Sequence, residues 1–322
     1  MSFLVEIPEN AYVADAFDAF APTAGFSLGT ARAMMWVSQL AYEARHARGK
    51  IAPVLARWSM TPAAILANDG RRPLSLASTR GIVARGRGAT VIAFAGTDPV
   101  ALPNWVTNFN LGPRPRLVHR GFEMAVAAVW RDLADALRTA AQDGDAIILT
   151  GHSLGGALAI VAADRAVREL KIMPTAVYAF GSPRVAGPEF ALAYRAHGLE
   201  EQTFRLVHGL DMIAAMPPSR LGFRHVGHLV WCARGQCFSR VEQRHGGPCD
   251  EPQFISTLAR GYRQRARDIL AGERLPSSRR GLLGWYQTFV LPPTIVDHLP
   301  ERYRRACEGP PALRPQPDRP SA

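Results

Sequence analysis

Residues 145–166, DAIILTGHSLGGALAIVAADRA, decide the fold. A short apolar run breaks into Gly151-His152-Ser153-Leu154-Gly155-Gly156 and resumes at once as an alanine-rich, helix-favouring segment. Glycine weakens strands and helices alike, so three of them within six residues mark a demand of the backbone. Gly151–Gly155 fit G-x-S-x-G: a strand, a sharp turn with serine at its apex, then a helix. The apex serine takes a strained conformation. The positions two before and two after it must lack side chains for strand and helix to approach closely. Such a serine lies at a helix N-terminus, where free backbone N–H groups face any developing oxyanion.

Working outward, short apolar strands alternate with helices. Residues 27–45 space apolar groups as a helix does, with Ser27 or Thr30 as N-cap. Residues 78–98 read as a hairpin around Gly86-Arg87-Gly88, and residues 121–144 as one long amphipathic helix closed by a glycine. Further strands are expected in 174–184, in 202–211 ending at Asp211, and in FRHVGHLVWCA, residues 223–233. This order predicts an α/β fold with a mostly parallel central sheet flanked by helices. The expected organisation is an N-terminal extension over 1–26, one domain over 27–308 and a proline-rich, disordered tail over 309–322.

Composition narrows the function classes. A 322-residue chain that is 48% hydrophobic buries a large core. The formal net charge is +11, and only Lys50 and Lys171 among the 38 basic residues are lysines. The arginines are scattered, with no RNA-binding aromatic signature or zinc-finger spacing, so no nucleic-acid partner is expected. MSFLVEIPENAYVADAFDAF, residues 1–20, carries four acids and no Lys or Arg, unlike the basic start of a secretory signal. No apolar run is long enough to span a membrane. The expectation is a cytoplasmic protein, with export by a signal-independent route left open. Cys232, Cys237, Cys249 and Cys307 are too few for a disulfide scaffold in so long a chain. The spacing of Cys232, Cys237, His245 and Cys249 matches no common zinc module, so no metal and no cofactor is expected. A Cys232–Cys237 disulfide becomes plausible only in an exported protein.

A serine at such a turn needs a base and an orienting acid, in the chain order Ser, Asp or Glu, His. Asp211, closing FRLVHGLD, stands where the acid belongs, although an acid there also caps a turn. His225, His228, His245 and His298 lie beyond it. The first two fall within the expected last strand. His298 in TIVDHLPERY is the choice, and His245 the runner-up.

Over residues 27–307 the chain resembles the class 3 lipases, an α/β-hydrolase group that includes fungal triacylglycerol lipases. The blocks that carry the resemblance are VIAFAGTD, PNWVTNF, VHRGF, GHSLGGALA, AFGSPRVAG, FRLVHGLDMIAAMPP, FRHVGHLVW and DHLPERY. It implies Ser153 as nucleophile, Asp211 as acid, His298 as base, and oxyanion contacts from Thr97 and Leu154. It further implies a serine carboxylic-ester hydrolase acting on lipid esters, with transient contact at a lipid interface and no stated oligomeric state. Phospholipase A-type or small-ester activity competes within that class, and a catalytically silent binding protein competes from outside it. Residues 98–110 place Val100, Leu102, Trp105 and Phe109 beside the serine, either as a lid and acyl-chain wall or as core residues of a long loop. One departure stands out: Ala95 occupies a position where the family commonly carries arginine.

Overall fold

The computed structural model describes Val5, residues 7–44, 47–68, 79–97, 115–239, positions 259, 261–263, 265–267 and 270, and residues 292–309. Among these, seven strands form one sheet in chain order: β1 (Thr61–Ala67), β2 (Arg80–Gly86), β3 (Ala89–Phe94), β4 (Ala146–His152), β5 (Ala176–Phe180), β6 (Thr203–His208) and β7 (His228–Cys232). β1, β2 and β3 pair antiparallel, and β3 through β7 pair parallel. The β2–β3 turn needs two residues at positive φ, supplied by Arg87 (56°) and Gly88 (73°). Parallel pairs require crossovers. Helices α3 (Pro115–Ala127) and α4 (Trp130–Gln142) lead into β4, α5 (Leu154–Arg165) links β4 to β5, and α6 (Pro188–Ala196) links β5 to β6.

Alternating strand residues divide the core between the two faces. Ile82, Val91, Ile148, Tyr178 and Phe204 pack with Met34, Val37 and Leu40 of α1 (Leu28–Ala41) and Leu55 of α2 (Ile51–Arg57). Val83, Ile92, Leu149 and Val177 pack with Leu133 and Leu137 of α4 and Leu158 and Val161 of α5. Of the last helices, α7 (Pro293–His298) and α8 (Pro300–Cys307), α8 packs on the first face through Tyr303, Ala306 and Cys307. The fold is therefore the expected α/β-hydrolase arrangement.

The details differ in three places. β1 escaped the sequence reading, because TPAAILA carries a proline and little β-branching, a composition that only an edge strand tolerates. The helix read over 121–144 is two helices, α3 and α4, broken at Val129, whose φ of −121° departs from the helical range. The last strand begins at His228 rather than Phe223. Gly227, at φ 77°, packs its Cα on Thr203, so close that a Cβ would come within 2.5 Å of that side chain. His225 thus precedes the strand, its Nε2 bonded to the Ala214 carbonyl at 2.9 Å. Of the two candidate caps, Ser27 caps α1, its Oγ accepting from the Thr30 N–H at 3.3 Å.

Candidate active site

β4 ends at His152 and α5 begins at Leu154, leaving Ser153 alone to turn the chain. Its φ of 58° and ψ of −127° lie where L-residues are strained. The flanking glycines permit the turn. A Cβ on Gly151 would meet the Gly155 carbonyl carbon at 2.2 Å, and one on Gly155 would meet the Phe94 oxygen at 2.1 Å. The Ser153 N–H donates to the Phe180 carbonyl at 2.8 Å, which ties the strained residue to β5.

Three residues far apart in sequence meet here. Ser153 Oγ lies 2.9 Å from His298 Nε2, and His298 Nδ1 lies 2.8 Å from Asp211 Oδ2. All three are buried. A carboxylate only accepts, so Nδ1 carries the ring proton and Nε2 is left to accept from the serine hydroxyl. Asp211 is fully employed: Oδ1 accepts from the N–H groups of Ile213 (2.8 Å) and Ala214 (3.4 Å), and Oδ2 accepts also from Tyr303 OH at 2.5 Å. Burial, and next the charge of Asp211, push the Tyr303 phenol well above its usual range, so it remains a donor. Gly181, at φ 56°, leaves room for this junction: a Cβ there would lie 2.7 Å from Asp211 Oδ2 and 3.1 Å from His298 Nδ1.

His298 is held from behind as well. His152 Nε2 pairs with the His298 carbonyl at 2.7 Å, and His152 Nδ1 with Tyr42 OH at 2.8 Å. A carbonyl accepts, so Nε2 is protonated and Nδ1 accepts from the phenol. Burial, reinforced by His298, keeps His152 well below the usual histidine range and thus neutral. Next to His298, the Asp297 carboxylate takes Arg234 side-on, with Nε and one terminal nitrogen both at 2.9 Å, and accepts from the Leu210 N–H at 3.0 Å. Asp297 thereby joins α7, the turn before Asp211, and the loop after β7.

Leu154 directly follows Ser153, and Thr97 lies one residue beyond a glycine that packs on the elbow. Leu154 opens α5, where backbone N–H groups have no intrahelical acceptor. Thr97 follows Gly96, whose hypothetical Cβ would lie 2.6 Å from the His152 carbonyl oxygen. Val100, Leu102, Trp105 and Phe109 lie outside the described residues, as do His245 and Cys249. His225, made neutral by burial and by the neighbouring Arg205 and Arg184, faces the Ala214 carbonyl instead of the serine. Among the described residues no group of His, Cys, Asp and Glu could hold a metal ion. Sequence reasoning missed Tyr303, His152, Tyr42, Asp297 and Arg234 as partners of the site. Tyr303 and Asp297 lie within or beside the very block that supplied His298, but nothing local says which atoms they reach.

A seven-stranded sheet with helices on both faces and a serine at a strained strand-to-helix turn defines an α/β-hydrolase. Residues 91–221 match the family described as lipase (class 3). The secreted mono- and diacylglycerol lipase 1 of Fusarium solani is 32% identical over 168 residues, 48% of this chain and 44% of that protein. A lipase of Rhizopus niveus is 31% identical over 185 residues, 52% of this chain and 47% of that protein. The chain thus spans about half the length of the curated relatives it matches. The native Rhizomucor miehei lipase in its propeptide complex superposes with a TM-score of 0.57 at 22% identity, over 80% of this chain and 89% of that one, a likeness of fold.

The expected cytoplasmic location is corrected by these relatives. The Fusarium solani protein is named a secreted lipase, which points outside the cell. The expectation rested on the charge pattern of residues 1–20, and that pattern does not determine a compartment. Among the described residues no helix is long and apolar enough to cross a membrane.

Proposed function

We propose that the protein is a serine carboxylic-ester hydrolase acting on lipid esters, with Ser153 as nucleophile, His298 as general base and acid, and Asp211 as the orienting acid. The observation that carries this reading is the unbroken chain from Ser153 Oγ through both nitrogens of His298 to Asp211 Oδ2, at 2.9 and 2.8 Å. Ser153 attacks the ester carbonyl while Nε2 takes its proton. The resulting imidazolium is stabilised by Asp211 and returns that proton to the leaving alcohol. Water then repeats the sequence on the acyl-enzyme. The Leu154 amide and Thr97 are assigned to the oxyanion, each donor contributing about 3 kcal/mol. Acylglycerols are the proposed substrates and an extracellular lipid interface the proposed setting, after the name of the Fusarium relative.

The test is a panel of p-nitrophenyl esters, acylglycerols and phospholipids offered to wild type and to Ser153→Ala. Acylglycerol hydrolysis by the wild type and none by a folded variant supports the proposal. Inactivity of the wild type towards every ester at a lipid interface would leave a binding protein instead.

A further inference from the structure

Cys232 closes β7, and the chain turns back at once through Ala233-Arg234-Gly235-Gln236 to reach Cys237. The turn is closed by the Gln236 N–H donating to the Ala233 carbonyl at 3.1 Å, with Gly235 at φ 78° in the position that demands glycine. Cys232 and Cys237 are the residues one step outside that closing bond. Such a turn brings the Cα atoms of its first and last residues, Ala233 and Gln236, to within about 7 Å, so the two cysteines flank a chain reversal. A disulfide spans Cα separations of about 4.4–6.8 Å without moving the backbone. Both cysteines are free thiols here, Cys232 buried and Cys237 half-buried. The Cys232 thiol is pushed up to about 12 by burial first and then by Cys237, which agrees with two sulfurs in each other's field.

The turn between them carries Arg234, the side chain that grips Asp297 next to His298. We infer that Cys232 and Cys237 form a disulfide that staples this turn and so fixes the Arg234 grip on α7. The pairing goes beyond the hydrolase reading and does not depend on its chemistry; it rests only on the extracellular setting proposed there. Formation needs a small-molecule disulfide as oxidant. The Cys237 thiolate, the more accessible of the two, attacks it and releases one thiolate. Cys232 then loses its proton and attacks the Cys237 sulfur, expelling the second. Two protein thiols and one external disulfide become one protein disulfide and two external thiols. Cys307 belongs to the same buried cluster as Cys232 and is the rival partner. It sits at the end of α8, where Ala306 accepts from the Phe238 N–H at 2.9 Å, so Cys307 lies beside the outgoing arm of the turn while Cys232 and Cys237 are joined by the turn itself.

The experiment is peptide mapping after equilibration with oxidised glutathione, with thiols blocked before digestion. Trypsin cuts after Arg224, Arg234 and Arg240, so the staple appears as residues 225–234 linked to 235–240, separating on reduction. Reductant is then expected to lower the melting temperature of the wild type by at least about 2 °C and to leave that of Cys237→Ser unchanged. Linkage of Cys237 to Cys307 or Cys249, or free Cys232 and Cys237 after that treatment, would overturn the inference.

Discussion

The two halves of the candidate site are built by different means. The serine half is local: Gly151, Ser153 and Gly155 lie within five residues, and the strain of the turn is met by missing side chains. The acid–base half is assembled at long range, with Asp211 and His298 separated by 87 residues and bridged by Tyr303, His152, Asp297 and Arg234. A local device needs space and tolerates no added atom. A long-range device needs hydrogen bonds and degrades in steps as they are removed. The comparison separates a steric requirement from an electrostatic one, and substitutions can test that separation.

The largest effect belongs to the residue both halves share. His298→Ala should lower kcat for a soluble ester on the order of 10⁴-fold or more, close to the loss for Ser153→Ala, because such groups act as a unit. Steady-state kinetics on the two variants and their combination checks this. Additive losses in the double variant would break the unit.

Next, two glycines distinguish the halves. Gly155→Ala forces a methyl to within 2.1 Å of the Phe94 carbonyl oxygen and should cost several kcal/mol of stability, read as a fall in melting temperature. Gly181→Ala sets its methyl against Asp211 Oδ2 and His298 Nδ1 at 2.7 and 3.1 Å, at a φ of 56°. It should also destabilise, but with a loss of kcat beyond that of Gly155→Ala when both are assayed well below their melting temperatures. Equal residual activities would show that the two halves are not distinct.

Legibility followed the same division. The elbow was readable because its requirement is written in adjacent residues, and the alternation of strands and helices was readable because buried parallel strands are short apolar runs. β1 was not, since a half-exposed edge strand has no such signature, and the break at Val129 was not, since the apolar period runs through it. Asp211 and His298 were reached from chain order and family likeness. Their supporting shell was invisible: which phenol donates to which carboxylate depends on where α8 crosses the sheet, and no spacing encodes that. The location failed for a different reason, an argument from residues 1–20 to a compartment.

A smaller effect concerns acid. Burial, first among the causes, lowers the proton affinity of His152, His208 and His225 in the folded state below the ordinary value of 6.5. Below that pH the unfolded chain binds more protons than the folded one, so stability is complete above it and falls as pH drops. Each group contributes up to about 1.4 kcal/mol per pH unit in that window. Denaturant unfolding between pH 7.5 and pH 5 should show the decline, and His152→Gln should make it shallower. A flat profile would mean that these rings are protonated in the fold.

Among the effects on kcat, the smallest should come from Tyr303→Phe. It removes one of four hydrogen bonds to Asp211 and leaves the others in place. A neutral donor to a buried carboxylate is worth about 1.5–3 kcal/mol, so kcat should fall roughly 10- to 150-fold, with KM nearly unchanged. A fall as large as that of His298→Ala would make Tyr303 part of the unit itself.

The central claim, that a serine at the elbow is activated by the histidine of α7, is tested most directly by fluorophosphonate labelling followed by mapping of the modified peptide. The account predicts one phosphonylated residue, Ser153, with the labelling rate collapsing in His298→Ala while the fold persists. A label on another residue, or an undiminished rate at Ser153 without His298, would contradict it.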